Sequence, residues 1–171
     1  MKIELKNIKH SAFASQETHC FEATIYVDGK RFCQVSNDGH GGCDNYRAIK
    51  STDGSWFMTA SVKAINKKLA AGPRPDSKWS DEGLENNLEI VVCNLVNKWL
   101  QDKEIKTVLR RISYIKNGGL YQIQAKHKPT PHNIEALMTA SWWKPEYVMV
   151  SGKSVEEARA VLATINFFGE L

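Results

Sequence analysis

The sequence predicts an α+β fold: an N-terminal antiparallel hairpin and sheet, a central buried helix, and a second hairpin followed by α, β and α elements. Three observations carry that prediction. Two stretches of apolar/polar alternation are each split by a turn dipeptide, Asp28-Gly29 and Asn117-Gly118. Segments of helical period with caps and prolines at their ends lie between and after them. At 171 residues and 42% hydrophobic content the chain can build one sizeable core. We therefore expect a single α+β domain over 1–171, with 1–71 and 79–171 as candidate sub-units packed together.

Residues 2–6 alternate apolar and charged side chains and read as a strand, extended over 8–14 past an irregularity at Asn7-Ile8. Phe21, Ala23, Ile25 and Val27 alternate with Glu22, Thr24 and Tyr26, and Asp28-Gly29 turns the chain into Lys30 to Val35. A plain two-residue turn sets Cys33 opposite Thr24. Cys20 then lies about 13 Å away at ~3.3 Å per residue, beyond the ~7 Å reach of a disulfide. Of the four cysteines, Cys20, Cys33, Cys43 and Cys93, these two are therefore expected as thiols, which suits the cytoplasm. The N-terminus has no apolar run of a secretory signal.

Asn37 to Asn45 reads as a loop with Gly39, Gly41 and Gly42, followed by a short strand over Tyr46 to Ile49. A first helix fits 55–70, with Phe57, Ala60, Ala64, Ile65 and Leu69 on one face, and Gly72-Pro73 stops it. After the short 72–78 linker, Ser80 caps a second helix with Asp81 and Glu82 in its first turn. Leu84, Leu88, Val91, Val92, Leu95, Val96, Trp99 and Leu100 cover more than one of its faces, hence a mostly buried central helix. A shorter helix over 103–110 leads into the hairpin Ile112 to Gln124, in which Tyr114 pairs with Tyr121 and Ile112 with Ile123. Thr130-Pro131 opens a helix to about Trp143, ended by Pro145. Tyr147 to Val150 reads as a short buried strand. Ser154 and Glu157 form a capping box for a last helix carrying Val161, Leu162, Ile165 and Phe168.

Charged residues make up 25% of the chain and no apolar run approaches eighteen residues, so a membrane-spanning helix, an extended disordered chain and a collagen-like repeat are excluded. No membrane partner is expected. The net charge of +4 is uneven: from Lys103 to Lys128 seven basic residues face Glu104 alone, which is +6 there and −2 elsewhere. Lys103, Lys106 and Arg110 recur at helical spacing, Arg111 follows, and Lys116 stands at the hairpin turn with Tyr114 and Tyr121 beside it. This pattern points to one basic face for nucleic acid, an acidic protein or a nucleoprotein complex. Adjacent indoles at Trp142 and Trp143 cannot both turn inward easily, so one is a candidate exposed anchor; Trp56-Phe57 poses the same question.

Other constellations are weaker. The loop Asn37-Asp38-Gly39-His40-Gly41-Gly42-Cys43-Asp44 gathers a histidine, a thiol and two carboxylates, and Asp38, His40, Cys43 and Asp44 are the candidate centre of a small hydrolase or metal-dependent enzyme. His40 and Cys43, with His19 as a third ligand, are the candidate metal set, but a structural zinc site needs four ligands and no second pair is evident. An ordinary glycine-rich turn explains the loop more simply, and no metal or other cofactor is expected. Carboxylates at Asp81, Glu82, Glu85 and Glu89 suit the positive end of a helix dipole without any further role.

Two regions carry a likeness. The first is Lys6-Asn7-Ile8-Lys9-His10-Ser11-Ala12-Phe13-Ala14-Ser15-Gln16-Glu17-Thr18 with Tyr26-Val27-Asp28-Gly29 and the Asn37 to Cys43 loop; the second is Leu109 to Gln122. They resemble small proteins carried by phages and prophages, a group that brings no catalytic residue with it. The resemblance implies an accessory protein acting in the cytoplasm of a bacterial host cell by binding host machinery, including defence complexes that hold nucleic acid. Self-association through Trp142 and Trp143 is a further alternative.

Overall fold

A computed structural model describes residues 1–48, 59–72, 86–124 and 126–169. It is a mixed α+β structure whose backbone groups into two compact units, Met1–Asn97 and Lys98–Leu171. The division falls within a helix, not in the 72–78 stretch.

The first unit holds a four-stranded antiparallel sheet in the order β1-β2-β3-β4, with β1 Ile3–His10, β2 Phe21–Val27, β3 Lys30–Asn37 and β4 Asn45–Arg47. The irregularity expected at Asn7-Ile8 is a bulge between Lys6 and Lys9, where Asn7 takes φ 55°, and it lets β1 run unbroken to His10. The β2–β3 turn places both Asp28 (φ 48°) and Gly29 (φ 78°) in the left-handed region, as a two-residue hairpin requires. A second bulge corrects the register read from sequence. Tyr26 faces Arg31 but Ile25 faces Cys33, so Phe32 is the extra residue and Cys33 lies opposite Ile25, not Thr24. All four cysteines are free thiols.

Helix α1 spans Thr59–Ala70; the earlier part of the expected 55–70 helix, with Trp56 and Phe57, lies outside the described residues. Its inward residues are Val62, Ile65, Asn66 and Leu69, while Ala60 and Ala64 are exposed. The Ser80 cap, Asp81, Glu82, Leu84 and Glu85 also lie outside the described residues. Helix α2 begins at Leu88, where the Asn87 side chain accepts from Ile90 N–H at 3.0 Å and Asn66 Oδ1 accepts from Leu88 N–H at 2.8 Å. Buried positions of this unit are Phe21, Ala23, Ile25, Cys33 and Val35 from the sheet, Ile65 from α1, and Leu88, Val92 and Val96 at four-residue spacing on α2.

Two sequence expectations about α2 are corrected. It runs without interruption to Leu109, absorbing the separate 103–110 helix, because nothing between Trp99 and Lys103 breaks a helix. It is also not buried all round: Val91, Leu95, Trp99 and Leu100 are half-exposed, and the burial follows one stripe.

The second unit contains the three-stranded antiparallel sheet β6-β5-β7, with β5 Ser113–Lys116, β6 Gly119–Gln122 and β7 Val148–Met149. Tyr114 pairs with Tyr121, and Ile123 N–H donates to Ile112 O at 2.9 Å, as the Asn117-Gly118 turn (φ 49° and 72°) dictates. Helix α3 spans Pro131–Met138 behind the Thr130 cap. It stops five residues before Trp143, where the backbone bonds shorten to three-residue turns, Ala140 N–H to Leu137 O at 3.1 Å and Trp143 N–H to Ala140 O at 2.9 Å. Trp142 and Trp143 therefore sit on turns, not on a helix end. Helix α4, Val155–Ala163, opens with the Ser154–Glu157 capping box and ends before Ile165 and Phe168. Ile105 and Val108 of α2, Ile115 of β5, Val150, and Ala158 and Leu162 of α4 form one buried cluster. Ser113 and Ser151 stitch its edge: Ser151 Oγ accepts from Ser113 N–H and donates to Arg111 O, both at 2.7 Å, while Ser113 Oγ donates to Val108 O at 2.8 Å. Arg159 of α4 clamps Gln101 and Asp102 of α2.

Candidate functional site

The strongest constellation is in the second unit. On β5 the side chains alternate, so Ser113 and Ile115 face the buried cluster while Ile112, Tyr114 and Lys116 face the other way. Tyr114 is the hub of an aromatic group on that second face. Its ring centroid lies 5.8 Å from Tyr121, 6.1 Å from Trp142, 5.4 Å from Trp143 and 6.0 Å from Tyr147. Tyr121 and Trp142 keep 45% and 48% of their surface exposed while Tyr147 is buried, so the group is a shelf with one accessible side. The Lys116 ammonium rests on it, 5.4 Å from the Tyr147 centroid and 5.8 Å from that of Tyr121. Sequence reasoning placed Tyr114, Tyr121, Lys116, Trp142 and Trp143 among the partner-binding residues, and the structure brings these five together. It did not include Tyr147, whose proximity depends on β7 pairing with β5, a long-range contact with no local signal.

The other cations stand elsewhere. Lys103 and Lys106 are exposed on one stripe of α2, and Arg110, exposed in the turn directly after Leu109, continues it. At 100° per residue this stripe points away from Ile105 and Val108, which pack on the sheet face opposite Tyr114. The single basic face expected from sequence is thus two surfaces, the α2 stripe and Lys116 on the aromatic shelf. The separation follows from the alternation of β5. Arg111 lies at the edge strand: its guanidinium donates to Gln122 Oε1 of β6 at 3.4 Å. Among the described residues none of these five cations has an acidic partner within ion-pair distance, though Lys103 lies over the Trp99 ring at 4.6 Å. The charge division is sharper than the sequence stretch suggested. The first unit carries twelve basic and twelve acidic residues, and the second carries eleven and seven, so all of the +4 resides in the second unit.

The glycine loop of the first unit is organised by structural bonds. Asn37 uses both ends of its amide. Its Oδ1 accepts from the Thr18 hydroxyl at 2.8 Å and from Gly39 N–H at 2.9 Å, and its Nδ2 donates to Gly42 O at 2.9 Å and Asp44 Oδ1 at 3.0 Å. Gly39 O accepts from the N–H groups of Gln16, Glu17 and Thr18 at 3.0 to 3.3 Å. His40 Nδ1 stands 3.6 Å from Asp38 Oδ1, and Cys43 is exposed. His19 Nε2 is 2.6 Å from Asn97 Oδ1. Among the described residues no three His, Cys, Asp or Glu side chains gather as a metal site, so His19, His40 and Cys43 are not brought together as ligands. Burial pushes the Asp44 carboxyl above its ordinary range despite the bonds it accepts from Asn37 and Tyr46, and pushes the Cys33 thiol up to about 12, which leaves that thiol inert. Glu89, the remaining member of the carboxylate group, is exposed in the first turn of α2.

Among the described residues no helix is long and apolar enough to cross a membrane. Compared with family models, curated proteins and solved structures, the chain matches none.

Proposed function

We propose that this chain is a binding protein that holds an anionic macromolecular partner, the acidic surface of a host protein or nucleoprotein complex, against its second unit. The observation that carries this reading is the concentration of all excess positive charge in that unit, where Lys103, Lys106, Arg110 and Arg111 are exposed and have no acidic partner among the described residues, together with a half-exposed aromatic shelf under Lys116. Aromatic and arginine side chains are the groups that dominate protein interfaces. The exposed Tyr121 ring is already stacked on Tyr114 and lies under the Lys116 ammonium, which favours an acidic polypeptide over stacking of bases. The resemblance to phage-borne accessory proteins fits the same reading, with a bacterial host complex as the partner and the host cytoplasm as the place of action.

The test is fluorescence anisotropy with two labelled probes, a glutamate homopolymer and a single-stranded oligonucleotide, from about 50 to 200 mM salt. The homopolymer is expected to bind with an affinity that falls steeply with salt, and the double variant Arg110→Ala/Arg111→Ala is expected to weaken binding and flatten the salt slope. Binding indifferent to salt or to the double variant contradicts the reading, and much tighter capture of the oligonucleotide moves the partner to nucleic acid.

A further inference from the structure

The edge of the second unit's sheet extends this reading, on which it rests, to a specific class of partner. In the β5–β6 ladder the bonded pair Ile112/Ile123 sets the phase, and the two-residue alternation makes Tyr114/Tyr121 and Lys116/Gly119 bonded pairs too. Leu120 and Gln122 consequently turn their backbone N–H and C=O groups to the outer side of β6. No strand among the described residues pairs there, and neither residue's backbone finds another partner among them. Four backbone hydrogen-bonding groups are therefore presented in register along an open edge. Here Tyr121 and Gln122 are both exposed, and no proline or bulge interrupts the strand.

The two faces flanking this edge differ. On one lie Tyr121, the rest of the aromatic shelf and the Lys116 ammonium. On the other the Arg111 guanidinium reaches Gln122. We propose that β6 receives an extended segment of a partner protein as an added strand. Its residues would alternate apolar and acidic, apolar side chains lying on Tyr121 and the shelf, acidic ones meeting Arg111. Charge selects this occupant over a second copy of the chain, because pairing β6 with its own copy brings Arg111 and Lys116 of both copies together.

A synthetic peptide alternating valine and glutamate is the probe. It is compared with the same peptide N-methylated at the amides that would face β6, with a glutamate homopolymer and with a single-stranded oligonucleotide. The alternating peptide is expected to bind about tenfold more tightly than its N-methylated form, the equivalent of one or two net hydrogen bonds. It should also slow hydrogen exchange at Leu120 and Gln122 N–H in particular. Gln122→Pro, which deletes an outward donor at a position where an edge strand tolerates proline, is expected to lower affinity by a similar factor. Equal binding of the N-methylated peptide, or protection away from β6, overturns the added strand; tighter binding by the oligonucleotide does the same. Homopolymer binding with no β6 signature removes only the edge assignment, whereas failure of every anionic probe removes the functional reading beneath it.

Discussion

At the scale of single residues, the glycine loop shows how a chemically suggestive motif is made by backbone demands. Gly39 has φ 90°, and a Cβ there would stand 2.1 Å from Ala14 O. Gly42 has open space around it. Gly39→Ala is expected to destabilise the first unit by about 3 kcal/mol, and Gly42→Ala to change it by about 0.5 kcal/mol or less, as measured by urea denaturation. Equal effects would mean that the loop does not close on residues 14–18 as described. Asp44 gives a pH signature. Burial raises its carboxyl above 3.8, so between that value and the raised one the folded protein keeps a proton that the unfolded chain has lost. The contribution of Asp44 to stability therefore falls as pH rises through this window. Asp44→Asn does not titrate, and its stability relative to the native protein should climb across the window and level off above it. A pH-independent difference between the two proteins would show that Asp44 is not desolvated.

At the scale of elements, legibility tracked how local the deciding interaction is. Both hairpin turns, the Thr130 cap and the Ser154–Glu157 box were readable because a few adjacent residues decide them. Ser154→Ala should cost about 1 kcal/mol, seen as a lower denaturation midpoint of the second unit; no change would mean that α4 is held by its packing alone. The misread elements were those decided at a distance. The Phe32 bulge leaves no mark in the alternation. The early end of α3 is a switch to three-residue turns at Ala140 and Trp143, although Trp142 and Trp143 continue an acceptable helical sequence. The two helices expected before and over 103–110 are one, and the Gln101–Asp102 stretch between them is held by Arg159 of α4. The site was legible in its composition but not in its arrangement. Lys103 and Lys106 keep the helical stripe that their spacing predicts and Arg110 follows it in the turn after Leu109, whereas Lys116 goes with the tyrosines because the alternation of β5 turns it away from α2.

At the scale of the whole molecule, the charge divides between a neutral first unit and a +4 second unit. In the proposed reading, a net charge of this size confined to one unit attracts and orients an anionic partner before any contact forms, and the aromatic shelf then supplies apolar contact area that salt does not screen. Affinity should thus retain a component at high salt that depends on Tyr121 and Trp142, and Tyr121→Ala/Trp142→Ala should remove it without changing the slope of affinity against salt. A changed slope with an intact high-salt component would reverse these assignments. The most direct measurement is NMR chemical-shift mapping of the isotopically labelled full chain titrated with the valine–glutamate peptide. Shifts confined to the second unit, centred on Arg111, Lys116, Tyr121 and Gln122, are the predicted result, and shifts concentrated in the strands and glycine loop of residues 1–48 would contradict the account.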